Sequence, residues 1–168
     1  MMFRTLYEHV ACAAATKAQI NVAVFFALIQ RESGWNPQAS GDGSYGIAQI
    51  SPVSHPGVNV WNPIDSLFYS AQLLRNYLDI YTQKENPYHY ALSAYNVGNT
   101  KVRNWDSIPK WEMDAYVNPI LSSAETQYPN CTIEVTPTPD PEMIVQPQET
   151  PHPLLLLSFL VAIIIKKF

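Results

Sequence analysis

The sequence predicts a mainly α-helical domain, and three observations carry that expectation. Apolar residues recur with helical spacing after Asn62-Pro63, cap and stop signals bracket a strongly apolar segment between Asn21 and Gly34, and nothing alternates with period two for long enough to make a strand. Asn21 stands where an N-cap is needed for VAVFFALIQRES, and Gly34 supplies the stop. Asn62-Pro63 offers a cap and a first-turn proline to the next helix, in which Ile64, Leu67, Phe68, Ala71, Leu74 and Leu78 form one stripe. Further helices are expected around residues 88–96 and 112–123. The string Gly41-Asp42-Gly43-Ser44-Tyr45-Gly46 matches the letter of a dinucleotide fingerprint, but a helix ends before it and no strand leads into it. These glycines are expected to let a loop turn and approach a neighbour closely.

At 168 residues the chain has room for one domain and a remainder. The net charge of -4 offers no basic face, which argues against nucleic acid as a partner. Residues 136–153, TPTPDPEMIVQPQETPHP, are too rich in proline for helix or interior strand and read as a linker reaching about 56 Å if extended at about 3.1 Å per residue. Beyond it LLLLSFLVAIII runs into Lys166 and Lys167. As a helix these 12 residues span about 18 Å against a hydrocarbon core of about 30 Å, so insertion needs snorkelling lysines and a locally thinned bilayer. The expected organisation is therefore a globular domain over residues 1–130, a Pro-rich linker over 131–153 and a hydrophobic anchor over 154–168. The lysine pair favours a cytoplasmic C-terminus with the domain on the far side of the membrane. No secretory signal is evident in the first residues, which leaves a bacterial envelope and the membrane of a bacterial virus particle both open as locations.

Cys12 and Cys131 bracket the globular part and could close a disulfide in an oxidising compartment, with a loop long enough to stabilise by about 4 to 5 kcal/mol; two unrelated buried thiols is the alternative. His9, His55, His89 and His152 are scattered, without metal-ligand spacing, so neither a metal nor another cofactor is expected.

Glu32 is the chemically loaded position. It ends an apolar helix, where the helix's partial negative charge and low-dielectric surroundings both disfavour a carboxylate and raise its pKa. A carboxyl kept protonated near neutral pH can give its proton to a leaving group. A solvated helix-end glutamate is the plain alternative.

Four segments in order change that balance: ALIQRESGWNPQAS, SYGIAQIS, ALSAYNVG and WEMDAYVNPIL. Together they resemble the lytic transglycosylases with the goose-lysozyme-like catalytic domain, the SLT-domain family, over roughly residues 7–121. NVWNPIDSLFYSAQLLRNYL resembles that family's helix after the glutamine segment. The resemblance implies a lysozyme-like helical fold with a substrate cleft. It implies a peptidoglycan substrate, cut between N-acetylmuramic acid and N-acetylglucosamine with a 1,6-anhydro product. Glu32 would be the single acid and base, Ser33 would position the reacting groups, and Gln49 would hydrogen-bond near the cleavage site. Tyr95 and Tyr116 would orient Glu32, and Asn96 would hold an acetamido group. Trp35 and Trp61 could supply platforms for sugar faces or simply pack.

Two departures stand out. The glutamine segment reads Gly46-Ile47-Ala48-Gln49, with Ala48 in place of the bulk expected along the cleft. The family's Glu-Thr-Arg reads Glu112-Met113-Asp114. A hydrolase would need a second carboxylate near the first, and Asp42 in the glycine loop is the candidate for such a goose-lysozyme-like role. A tethered module that grips peptidoglycan without cutting is the other alternative. A short tethered cutter suits local openings in a cell wall, for a secretion or conjugation apparatus or for viral genome entry, with envelope-spanning or virion partners.

Overall fold

In a computed structural model of the chain, the described residues are 2–127, with side chains from residue 6 onward. They fall within the first of two units, Met1–Ile133 and Glu134–Phe168. The linker and anchor expectations, and Cys131, lie outside the described residues. Among those described, no helix is long and apolar enough to cross a membrane.

The expected helical class is observed. Helix α1 (Met2–Lys17) is followed by α2 (Val22–Ser33), the short strands β1 (Ser40–Gly41) and β2 (Ser44–Tyr45), and α3 (Pro63–Ile80). Then come α4 (Pro87–Val97), α5 (Asn99–Val102), α6 (Lys110–Glu112), a π-helical turn (Met113–Val117) and α7 (Asn118–Gln127). Helix α2 begins where Asn21 accepts a hydrogen bond from the Val24 N–H at 3.1 Å, and it ends at Gly34, whose left-handed φ of 61° closes a bond to Gln30. Asn62 does the same for α3, accepting from Ile64 at 3.0 Å, with Pro63 in the first turn.

The core forms where α2 packs on α1 and α7, and α3 on α1 and α4. A row of small residues on α1, Ala11, Cys12, Ala14, Ala15 and Ala18, is buried and lets its neighbours approach closely. Phe25, Leu28 and Ile29 of α2 meet Leu67 and Leu74 of α3, Leu92 of α4 and Ile120 of α7 in one cluster. Each such side chain contributes about 1.5–3 kcal/mol on burial. The α3 stripe points inward as expected except at its start, where Ile64 is 51% exposed. Cys12 is disulfide-bonded.

The glycine loop is a miniature antiparallel hairpin, Ser40 opposite Tyr45 and Gly41 opposite Ser44. Asp42 and Gly43, with φ of 50° and 78°, make the two-residue turn that matches strand twist when both φ are positive. Two residues per strand are too few for a period-two pattern to show.

Candidate active site

Glu32 lies on the last turn of α2, half-buried, and burial pushes its carboxyl from 4.5 up to about 7. Two weaker influences pull the other way. The Tyr116 hydroxyl donates a hydrogen bond to Oε1, and the Arg31 guanidinium lies nearby. With Oε1 engaged, Oε2 is the oxygen left to carry a transferable proton.

Tyr116 reaches Glu32 because of the π-helical turn. There the Asn118 N–H bonds back to Met113, five residues away, and the wider turn seats Tyr116 and Val117 in the core ahead of α7. Arg31 fastens the same turn, donating from Nη2 to the Ala115 carbonyl at 2.8 Å, and its guanidinium stands 5.9 Å from the centre of the Tyr116 ring. Thus α2 and the π turn hold the acid from both sides. The Tyr116 hydroxyl is itself deeply buried beside Glu32, which keeps its own pKa well above 10 and leaves it a donor at all working pH.

Two hydrogen bonds tie the glutamine segment to this centre. Ser33 Oγ donates to the Ile47 carbonyl at 2.6 Å, and the Tyr95 hydroxyl donates to the Ala48 carbonyl at 2.8 Å. Tyr95, expected beside Tyr116 as an orienter of Glu32, therefore spends its hydroxyl on the backbone of the glutamine segment; burial raises its pKa, and the Glu32 charge acts through space in the same direction. The segment is tightly wound. Gly46 has φ of 75°, and a Cβ there would lie 1.9 Å from the Val60 carbonyl oxygen, so only glycine fits. Gln49 adopts a left-handed φ of 48°, uncommon for a residue with a side chain, and its Nε2 donates to the Gly46 carbonyl at 2.9 Å. Its Oε1 lies 4.0 Å from where a Cβ on Gly41 would be, so the hairpin passes close by, as the glycines suggested.

Beside this centre is an open cleft of about 420 Å³, lined by Ser44, Gln49, His55, Tyr77, Tyr95, Asn96 and Thr100 among others. Glu32 does not line it; Tyr95, which does, feels the Glu32 charge. Asn96 is exposed on the cleft side, and its Nδ2 donates to both carboxylate oxygens of Glu112 at 3.1 and 3.0 Å.

The structure bears on four residues whose roles the sequence left open or placed elsewhere. Trp35 is 4% exposed and stacks edge-on against Phe26 at 5.3 Å, so it is core and not a platform. Trp61 is 47% exposed and leans on Tyr45, which keeps one aromatic surface open. Ala48 is fully buried, so any bulk missing there is missing beneath the cleft and not from its wall. Asp42 is exposed at the hairpin tip, and the charge that acts on Glu32 is that of Arg31. Sequence reasoning gave no role to Arg31, or to the His55–Tyr69 hydrogen bond of 2.8 Å at the cleft wall. It also noted Glu112 only as part of a departing motif. Among the described residues, no group of three His, Cys, Asp or Glu side chains could hold a metal.

A family model described as the transglycosylase SLT domain matches residues 9–118. A curated relative named Transglycosylase, from Enterobacteria phage PRD1, is 28% identical over 129 residues, which is 74% of this chain and 45% of the relative. The chain thus spans about half the length of that relative.

Proposed function

Because the chain belongs to the transglycosylase SLT-domain family, matched across residues 9–118, we propose that it is a peptidoglycan lytic transglycosylase that cuts between N-acetylmuramic acid and N-acetylglucosamine. The observation that carries the mechanism is the half-buried carboxyl of Glu32, raised to about 7 and held by Tyr116. A group with that pKa is protonated often enough near neutral pH to act as an acid, and is a strong enough base once ionised to take a proton back.

The steps balance with one proton. Glu32 gives its proton to the bridging oxygen as the bond from that oxygen to the muramyl C1 breaks, and N-acetylglucosamine leaves with a free hydroxyl. The Glu32 carboxylate then takes the proton of the muramyl C6 hydroxyl while O6 bonds to C1. A 1,6-anhydro ring forms and Glu32 is protonated again. The Tyr116 hydrogen bond steadies the carboxylate between these steps. Gln49 and Asn96 line the adjoining cleft, where amide groups suit the polar edges of amino sugars, and Trp61 suits an apolar sugar face.

The alternative of hydrolysis with Asp42 as a second carboxylate is less well supported. Asp42 is exposed on the hairpin tip, whereas a base that activates water would have to face Glu32 from about 6.5 to 9.5 Å. The Glu32→Gln variant tests the assignment. It is expected to bind peptidoglycan and to release nothing from it, and full turnover would remove Glu32 from the role.

The apolar run at residues 154–165 and the Lys166–Lys167 pair support a tethered enzyme whose domain faces the cell wall, opening it locally for a secretion or conjugation apparatus or for viral genome entry. Membrane flotation tests this part. The full chain should float with vesicles and a chain ending near residue 130 should not; equal behaviour would remove the anchor.

A further inference from the structure

Glu112 is 1% exposed, a carboxylate sealed at the junction of α6 and the π turn. Burying a charged group is costly unless its oxygens are engaged, and here both accept from the same nitrogen, Nδ2 of Asn96. An ionised carboxylate only accepts hydrogen bonds, whereas an amide has one end that donates and one that accepts. Facing Glu112, the amide has one favourable orientation: NH2 inward, Oδ1 toward the side where Asn96 is exposed and lines the cleft. Flipping it would set Oδ1 against two carboxylate oxygens. Burial pushes the Glu112 carboxyl up from its ordinary value, and the Asn96 amide, the hydroxyl of Ser93 one turn earlier on α4 and the Lys101 charge work against that, each favouring the ionised form.

We propose that Glu112 is a positioning residue that locks the Asn96 amide with Oδ1 toward the cleft, so that this subsite accepts a hydrogen-bond donor, the N–H of a sugar acetamido group. The inference rests on the reading of the cleft as a site for amino sugars, but not on which product the enzyme releases.

The test reverses the inner hydrogen bond while keeping an oxygen toward the substrate. Affinity for an N-acetylglucosamine tetramer is measured on the folded full chain with turnover removed by Glu32→Gln, so the readout is independent of transglycosylation or hydrolysis. Adding Asn96→Asp sets two carboxylates against each other and is expected to weaken binding at least about tenfold, the scale of a lost hydrogen bond to a charged group. Adding Glu112→Gln alone frees the amide to adopt either orientation and is expected to cost about two- to threefold. The pair Asn96→Asp with Glu112→Gln lets the new amide donate to the new carboxylate, whose second oxygen faces the cleft. It is expected to recover affinity to within about threefold of the parent. With Glu32 intact, the same variants should change KM and leave kcat within about twofold. A pair no better than Asn96→Asp alone, or losses confined to kcat, would overturn the proposal.

Discussion

Replacing Glu32 by Gln should make the protein more stable at alkaline pH while removing its activity. Burial raises the Glu32 carboxyl from 4.5 to about 7. At about 1.4 kcal/mol for each tenfold change in proton affinity, ionising it in the folded state costs up to about 3 kcal/mol more than in the unfolded chain. The sign follows from proton counts. Between pH 4.5 and about 7 the folded protein holds the proton that the unfolded chain has released, so stability falls as pH rises through that window and stays low above it. Gln keeps an oxygen that accepts from Tyr116 and carries no charge to bury. Thermal unfolding of the full chain at pH 4 and pH 8, followed by circular dichroism, should therefore show wild type and variant nearly equal at the lower pH. At the higher pH the variant should melt later by about 6 to 12 °C, at about 2 to 4 °C per kcal/mol. A variant less stable at pH 8, or a gap that does not change with pH, would refute the reasoning that the acid is held in a site that disfavours its charge.

Tyr116→Phe removes the hydrogen bond that favours the Glu32 carboxylate, so the alkaline limb of kcat/KM should move up by about one pH unit; a limb that stays or moves down would contradict this role. Gly46→Ala drives a Cβ to 1.9 Å from the Val60 carbonyl oxygen at a φ of 75°, and urea unfolding should show at least about 2 kcal/mol lost, whereas a change within about 0.5 would deny the clash. Ser33→Ala cuts the 2.6 Å tie between the end of α2 and the Ile47 carbonyl. It should lower stability by about 1 kcal/mol and reduce kcat, and an unchanged kcat would show that the tie does not position the site.

The helices were legible because their signals are local. Asn21 and Gly34 bracket α2, and Asn62-Pro63 opens α3, through hydrogen bonds made within three or four residues. Glu32 could be singled out because its place at the end of an apolar helix already implies a disfavoured charge. What stayed hidden depends on long-range geometry. A π turn has no sequence period of its own, so the resemblance named Tyr116 as a partner of Glu32, while nothing in WEMDAYV shows the turn that brings them together across 84 positions of chain. Trp35 and Trp61 read alike as aromatic residues, yet a left-handed φ of 68° after Gly34 leaves Trp35 in the core while Trp61 stays open. Glu112 stood in the sequence only as part of a departing motif, with nothing local to mark it as buried. It is buried because Asn96, sixteen residues earlier, supplies the amide that makes burial tolerable.

The central claim is that one carboxyl performs both proton transfers and that the sugar's own C6 hydroxyl, not water, closes the reaction. Mass spectrometry of peptidoglycan digested by the full chain measures this directly. Muropeptides ending in 1,6-anhydro-N-acetylmuramic acid, lighter by one water than the hydrolytic products, are expected, and none when Glu32 is replaced by Gln. Products carrying only reducing ends would contradict it.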